Sequence, residues 1–148
     1  MNTQAMKLLV GVVGASLVGC ATSSGVVVNP SISKASYQSV YVVVHGDKSA
    51  DMDANLQKEL LRHGLVVTSG SEERPSTPTD LIARYADDWK WDLSMYLRSF
   101  DLMISDGKTN VLLASGEWKN SLFHGYYSSE KVVGEVVSNT LSKISPKR

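Results

Sequence analysis

Acidic and aromatic side chains are concentrated in one short segment, residues 87–92, whose sequence is DDWKWD. Two carboxylates at close range can serve as the acid and the base of glycoside hydrolysis, and indole rings stack on sugars. One hypothesis is therefore a small enzyme that acts on peptidoglycan or another glycan through Asp88 and Asp92. We favour a corner between two strands, where aspartates bind turn amides and Trp89 and Trp91 pack on neighbouring apolar groups. Acid/base catalysis needs a cleft, which a small two-layer domain rarely encloses.

Two histidines are the other candidates for catalysis or metal binding. His45 ends an apolar run, and His124 lies in an aromatic loop. Either could approach Asp47, Asp87 or Asp88 as a metal site or a catalytic pair. No third ligand is evident and the spacing is irregular, so we interpret them as separate histidines. The sequence thus predicts no catalytic residue, no metal and no cofactor.

The loop FHGYYSS contains aromatic residues and a glycine, and it lies just before a predicted helix. Such an amphipathic loop could bind a partner, an anion or the membrane interface, or it could simply cover the end of the core. Together with the Trp-rich segment it gives our predicted contact residues: Trp89, Trp91, Asp92, Phe123, His124, Tyr126 and Tyr127.

Cys20 is the only cysteine, and its position indicates where the protein is found. Lys7 is followed by an apolar run over residues 8–18, which has the length of a signal-peptide core and is short for a bilayer span. Either Met1 or Met6 could be the start. Residues 17–20, LVGC, resemble the lipobox of bacterial lipoproteins, in which the cysteine sulfur is alkylated by a diacylglycerol. The alternatives are a secreted protein with a stray cysteine and an uncleaved membrane anchor.

The lipobox resemblance implies an acylated amino terminus at Cys20 and effectively permanent attachment to a membrane. The next residue is Ala21 and not aspartate, which by resemblance to the enterobacterial sorting rule favours the periplasmic face of the outer membrane over that of the inner membrane. An envelope protein or peptidoglycan is the possible partner. Acidic and basic residues are equal in number, 15 each, so no basic field exists to bind nucleic acid.

The sequence predicts three parts: a signal peptide at 1–19, a lipidated cysteine and tether at 20–36, and a single α+β domain at 37–148. Residues 26–28, three valines, could alternatively pair at a sheet edge. A buried strand near 39–46, a helix near 51–63 ended by Gly64, and a strand near 65–69 predict a right-handed βαβ unit.

An antiparallel meander is predicted over residues 80–120 because apolar residues alternate there. The alternation changes phase at 98–100, which predicts a β-bulge, and DGKTN at 106–110 predicts a hairpin turn. A final helix, capped by Ser128 or Ser129, ends before Pro146. The result is a two-layer sandwich with both helices on one face of a mixed sheet.

The segment from residue 85 to residue 125, with the lipobox, resembles a family of uncharacterised small proteobacterial lipoproteins. The matching positions are Trp89, Trp91, Asp92, Tyr96, Leu97, Asp106, Thr109, Leu112, Leu113, Ala114, Phe123, His124 and Gly125. The element order is more loosely similar to envelope-assembly lipoproteins of the LPS-assembly type. Neither resemblance carries an activity over to this chain. The lipid anchor, the tether, the compact α+β body and the lack of a convincing catalytic set together predict a non-catalytic binding or assembly module of the cell envelope. A lipid- or amphiphile-binding module, with a cavity between helices and sheet, is a further possibility.

Overall fold

The computed structural model describes residues 22–123 and 125–146, so the predictions for the signal peptide, Cys20 and His124 lie outside the described residues. The elements are β1 (Ser23–Val28), β2 (Ser39–Val43), α1 (Ala50–Arg62), β3 (Val66–Gly70), β4 (Leu81–Trp91), β5 (Met95–Asp106), β6 (Leu112–Lys119) and α2 (Ser129–Ile144). None of the helices in these ranges has the length and apolar composition that a bilayer span requires.

The six strands form one mixed sheet in the order β1-β6-β5-β4-β2-β3. β2 and β3 pair in parallel around α1, which confirms the βαβ unit, and β4, β5 and β6 form the predicted antiparallel meander. β4 also pairs in parallel with β2 and so joins the two halves. Both helices pack on one face of the sheet and against each other, which confirms the α+β two-layer class.

α1 forms because its apolar residues recur every four positions. Met52, Leu56 and Leu60 are all buried against the sheet. Gly64 has a φ of 78°, the left-handed conformation in which a glycine ends a helix at least cost. Ser49 occupies the position before the helix, but its side chain makes no capping bond and its hydroxyl donates to Asp87.

α2 buries one stripe of side chains: Val132, Val133, Val136, Val137, Thr140, Leu141 and Ile144. It lies close to β6 at Gly116, where an added Cβ would meet the Thr140 hydroxyl at 2.1 Å. Ser128 precedes the helix, but its side chain makes no capping bond, so the predicted serine cap is absent at that position.

The assignment of residues 20–36 to a tether is wrong for β1, which pairs antiparallel with β6 from Ser23 opposite Lys119 to Val28 opposite Ala114. The ordered sheet therefore begins 14 residues before the predicted domain start at 37. The alternating valines explain the difference, since Val26 and Val28 pack against the core while Val27 faces solvent. The structure instead contains the alternative given for the three valines, in which residues 26–28 pair at an edge of the sheet.

The β-bulge and the hairpin turn are both where the sequence predicts them. Asp88 pairs with Ser99 and Trp89 with Leu97, so Arg98 is the extra residue in β5. In the turn from β5 to β6, an Asp106 oxygen accepts the Thr109 amide at 2.7 Å.

The predicted corner at DDWKWD is wrong in position, because residues 87–91 belong to β4 and continue its pairing with β5 past the bulge. The chain reverses only at residues 92–94. Tryptophan favours paired strands, and the pairing extends as far as Trp91 opposite Met95.

Candidate functional site

Large apolar side chains are exposed together at one end of the sheet, which we call the apolar end. It comprises Trp91, Leu93 and Met95 from the β4–β5 hairpin and Leu122, Phe123 and Tyr126 from the β6–α2 loop. Exposed fractions reach 93% for Leu93, 92% for Leu122 and 79% for Phe123. Clustered exposure of this kind marks a binding surface, whereas single exposed apolar residues are ordinary.

The hairpin half of the apolar end is organised by Asp92. Its carboxylate accepts the backbone amides of Leu93 and Ser94, which closes the turn. The same oxygen accepts the Tyr126 hydroxyl at 2.7 Å, and this bond joins the hairpin to the loop. The hydrogen bond to Asp92 raises the pKa of Tyr126, so the phenol stays a neutral donor.

The loop half is organised by Asn120, a residue that the sequence analysis did not single out. Its amide nitrogen donates to the carbonyl oxygens of Leu97 (2.8 Å) and Gly125 (2.9 Å), and its oxygen accepts the Gly125 amide. The loop is thus closed on itself between residues 120 and 125. Leu122 and Phe123 lie between these bonds and are turned to solvent.

Two tyrosines attach the loop to the body of the domain. The ring of Tyr127 meets the buried Trp118 edge-on, with ring centroids 5.4 Å apart, and Tyr126 meets Tyr96 in the same way at 6.2 Å. Three of the predicted contact residues, Trp91, Phe123 and Tyr126, are exposed at the apolar end. A fourth, Tyr127, also holds the loop against the body of the domain.

A second site, of polar residues, lies at the end of β2. The buried Asp53 carboxylate accepts the amides of His45 and Gly46 and the Tyr85 hydroxyl at 2.6 Å. Burial and then the Asp53 carboxylate raise the pKa of Tyr85 far above 10.0, which keeps it a hydrogen-bond donor. The sequence analysis predicted neither Asp53 nor Tyr85 as a site residue. The only sequence signal for this site was the position of Asp53, an aspartate within the first turns of a helix.

The structure brings His45 to Asp87, as one of the predicted pairings required. The His45 Nδ1 lies 3.9 Å from the carboxylate, and its ring stacks on Tyr85 at 4.3 Å. Asp87 also accepts the Ser49 hydroxyl at 2.9 Å and the Trp89 indole at 2.7 Å. The serine donates to a carboxylate and not to an imidazole base, which is not the arrangement of an activated nucleophile.

No three His, Cys, Asp or Glu side chains of residues 22–123 and 125–146 lie together in a way that could hold a metal ion. The structure therefore provides no geometry for the metal hypothesis involving Asp47, Asp87 or Asp88 in this part of the chain.

Asp88 and Asp92, the candidate acid and base, are not brought together. Asp88 lies within β4 opposite Ser99, whereas Asp92 lies beyond the end of that strand. Asp88 forms an ion pair with Lys90 at 3.1 Å, and Asp92 is used in the turn. Trp89 packs against the core while Trp91 is 73% exposed, so the two indoles present no shared platform.

A module that binds an amphiphile, the further possibility, would need a cavity between helices and sheet, but fully buried side chains such as Phe100, Leu56 and Ile144 occupy that space. A half-open groove of about 230 Å³ lies elsewhere, by the C-terminal ends of both helices, with Tyr37 and His63 in its lining. It is smaller than ordinary ligand pockets and lies at the opposite end of α2 from the apolar end.

Neither protein-family models nor curated proteins give a match to this chain. Among solved structures it is similar to PelC of Paraburkholderia phytofirmans, described as a dodecamer, with TM-scores of 0.59 and, for a point variant, 0.58. Both alignments have 10% identity and cover 86% of this chain and 100% of PelC. A PDZ domain protein from Parabacteroides distasonis aligns at 12% identity with a TM-score of 0.51, over 86% of this chain and 37% of that one.

These similarities concern the fold alone.

Proposed function

We propose that this protein is a lipoprotein of the bacterial cell envelope, anchored through Cys20 to the periplasmic face of the outer membrane. It acts by binding, as a non-catalytic binding or assembly module. The observation that carries the proposal is the apolar end: two loops held in place by Asn120 and by the bond from Tyr126 to Asp92, presenting exposed apolar groups. A surface built this firmly and left uncovered in the single chain favours a contact role.

The sheet offers further contact surface at its two edges. Within the residues that the structure describes, β1 and β3 each pair with a single neighbour, and edge strands add strands from other chains readily. The PelC protein that shares the fold is a dodecamer, which supports assembly with further copies of the chain. Partners are therefore envelope proteins or further copies of the chain.

The anchor is tested by labelling cells with radioactive palmitate. The wild-type protein should incorporate label and stay with the membranes, whereas Cys20→Ser should do neither, because the serine hydroxyl cannot form the thioether. Equal membrane retention and equal processing of the two forms would overturn the anchor.

The binding role is tested by photo-crosslinking in living cells. A photoreactive residue in place of Val27 on β1 or Val66 on β3, which are 74% and 65% exposed, should give products with an envelope protein or a second copy. The same group at Lys108, in the β5–β6 turn, serves as an exposed control away from both edges. A crosslinking pattern indistinguishable from that of the control would count against a binding role for the edges.

A small glycan-acting enzyme is the second candidate and is the weaker one, since Asp88 and Asp92 are separately engaged. Purified sacculi incubated with wild type, Asp88→Asn and Asp92→Asn would decide it. Release by the wild type that both variants lack would establish the enzyme and overturn the binding module.

A further inference from the structure

The attachment point and the apolar end lie at the same end of the sheet. β1 starts at Ser23, which is level with Lys119 at the end of β6, with Ser99 on β5 and with Asp88 on β4. Beyond Asp88, β4 continues for three residues to Trp91 before the hairpin turns. The hairpin therefore projects about 10 Å past the level of Ser23.

Ser23 is the first residue of β1 and lies at that end of the sheet, because β1 is antiparallel to β6. Only three residue steps separate Ser23 from Cys20, and their covalent reach is at most about 11 Å. If Cys20 carries acyl chains in a bilayer, the level of Ser23 stays within that reach of the headgroups. The hairpin tip projects by a similar distance, so it comes to the bilayer surface.

The chemistry of the apolar end fits a lipid interface. Tryptophan and tyrosine are the residues enriched where headgroups meet acyl chains, and leucine, phenylalanine and methionine suit the region just below. The carboxylate among them, that of Asp92, is bonded to turn amides and to Tyr126. Two nearby lysines form ion pairs, Lys90 with Asp88 at 3.1 Å and Lys119 with Glu117 at 2.9 Å.

The far end of the domain differs in composition. The β5–β6 turn there consists of polar residues, 106–110, followed by the half-exposed Val111 and Leu112. The groups suited to lipid are thus concentrated at the end near Cys20, where a bilayer is within reach.

We infer that the apolar end is a second membrane contact, which inserts Trp91, Leu93, Leu122 and Phe123 into the interface of the bilayer that holds Cys20. This inference rests on the proposed lipid anchor. The acyl chains hold the domain at the membrane, and the apolar end fixes its orientation, so that the edges β1 and β3 lie roughly perpendicular to the surface and are open to partners.

The test uses the full lipidated protein in vesicles of phosphatidylethanolamine and phosphatidylglycerol, with or without brominated phosphatidylcholine, which quenches tryptophan on contact. Trp118 is buried and Trp89 half-buried, so Trp91 is the exposed reporter. We expect bromolipid to lower the Trp91 emission roughly two-fold, as for an interfacial indole. Trp91→Phe should remove the quenchable part of the emission.

A matched pair of variants separates insertion from mere proximity. Leu122→Asp with Phe123→Asp should abolish most of the quenching, because carboxylates resist the interface. Val111→Asp with Leu112→Asp, at the far end, should leave it unchanged. Equal melting temperatures establish that a variant is folded, and Phe123→Ser alone provides a milder change if the double variant is not.

Vesicle-bound protein whose Trp91 is unaffected by bromolipid would overturn the inference while leaving the anchor intact. Oligomers that Leu122→Asp with Phe123→Asp converts to monomers, in the absence of quenching, would overturn it in favour of a second copy at the apolar end. Protein that does not remain with the vesicles would remove the anchor and the inference together.

Discussion

The Asp53 carboxylate shows how one buried group fixes the path of the chain. It accepts two amides from the turn that leads into α1 and the hydroxyl of Tyr85 from β4. Buried carboxylates are stable only when their oxygens are fully bonded, and here three donors meet that need. The turn, the helix and the central strand are thereby held in one arrangement.

Asp53→Ala should lower the free energy of unfolding by about 3 kcal/mol, because it leaves buried donors without an acceptor. Asp51→Ala, at an exposed position on the same helix, should change it by less than about 0.5 kcal/mol. Urea denaturation followed by circular dichroism measures both. Equal midpoints for the two variants would show that the bonds to Asp53 do not stabilise the fold.

The carboxylates of Asp80 and Asp106 should make the free energy of unfolding depend on pH in the acid range. The Gln38 amide lowers the pKa of Asp80 below its ordinary 3.8, and the Thr109 amide does the same for Asp106. A folded-state pKa below the unfolded value gives stability that is complete above about pH 4 and is lost as the pH falls further.

Replacing both aspartates with asparagine should therefore flatten the loss of stability below pH 4, measured as the melting temperature across the acid range. Asp51→Asn is the control and should retain the wild-type slope. A double variant whose melting temperature falls with pH as steeply as that of the wild type would contradict the role of these two carboxylates.

At the scale of elements, α2 packs close to β6, and Gly116 makes this approach possible. An added Cβ there would lie 2.1 Å from the Thr140 hydroxyl and 2.9 Å from a Val136 methyl group. Neither neighbour can withdraw, since both are buried. The absence of a side chain thus sets the distance between the two layers.

Gly116→Val should destabilise the protein by about 1–3 kcal/mol through overpacking. Gly25→Val, on the neighbouring strand β1, is the matched control, because the nearest atom to its Cβ would be 4.0 Å away. Valine favours strands, so that variant should be neutral or slightly stabilising. Similar melting temperatures for the two variants would refute the close approach of α2.

In the molecule as a whole, the start of β1 and the apolar end lie at the same end of the sheet. This arrangement would let the proposed anchor set the orientation of the domain on the membrane. If Cys20 carries the proposed anchor, the three residue steps between Cys20 and Ser23 would give the apolar end a high effective concentration at the bilayer. A longer link would lower that concentration without changing any contact.

Inserting about twelve Gly and Ser residues before Thr22 should lower the bromolipid quenching of Trp91 while leaving palmitate incorporation unchanged. An insertion of equal length in the β5–β6 turn, at Lys108, is the control for the added residues. Quenching that is independent of link length would mean that the short link does not orient the domain.

The local patterns of the sequence determined most of the fold. Periodicity of four placed α1, alternation placed the meander, and its change of phase located the bulge at Arg98. These signals are readable because each depends on the period of one element and the side chains it buries. The lipobox likewise depends on four consecutive residues, and the anchor it predicts stays a prediction.

Only the tertiary structure decided which distant residues meet. Pairing with β6 turned the predicted tether at Ser23–Val28 into an edge strand, and continued pairing with β5 moved the predicted corner past Trp91. The bond from Tyr126 to Asp92 joins loops 34 positions apart. The register of β1, β6, β5 and β4 places the apolar end at the same end of the sheet as the start of β1. Such contacts depend on strand order and register, which no single segment encodes, because the free energy of pairing is shared between segments far apart in the chain.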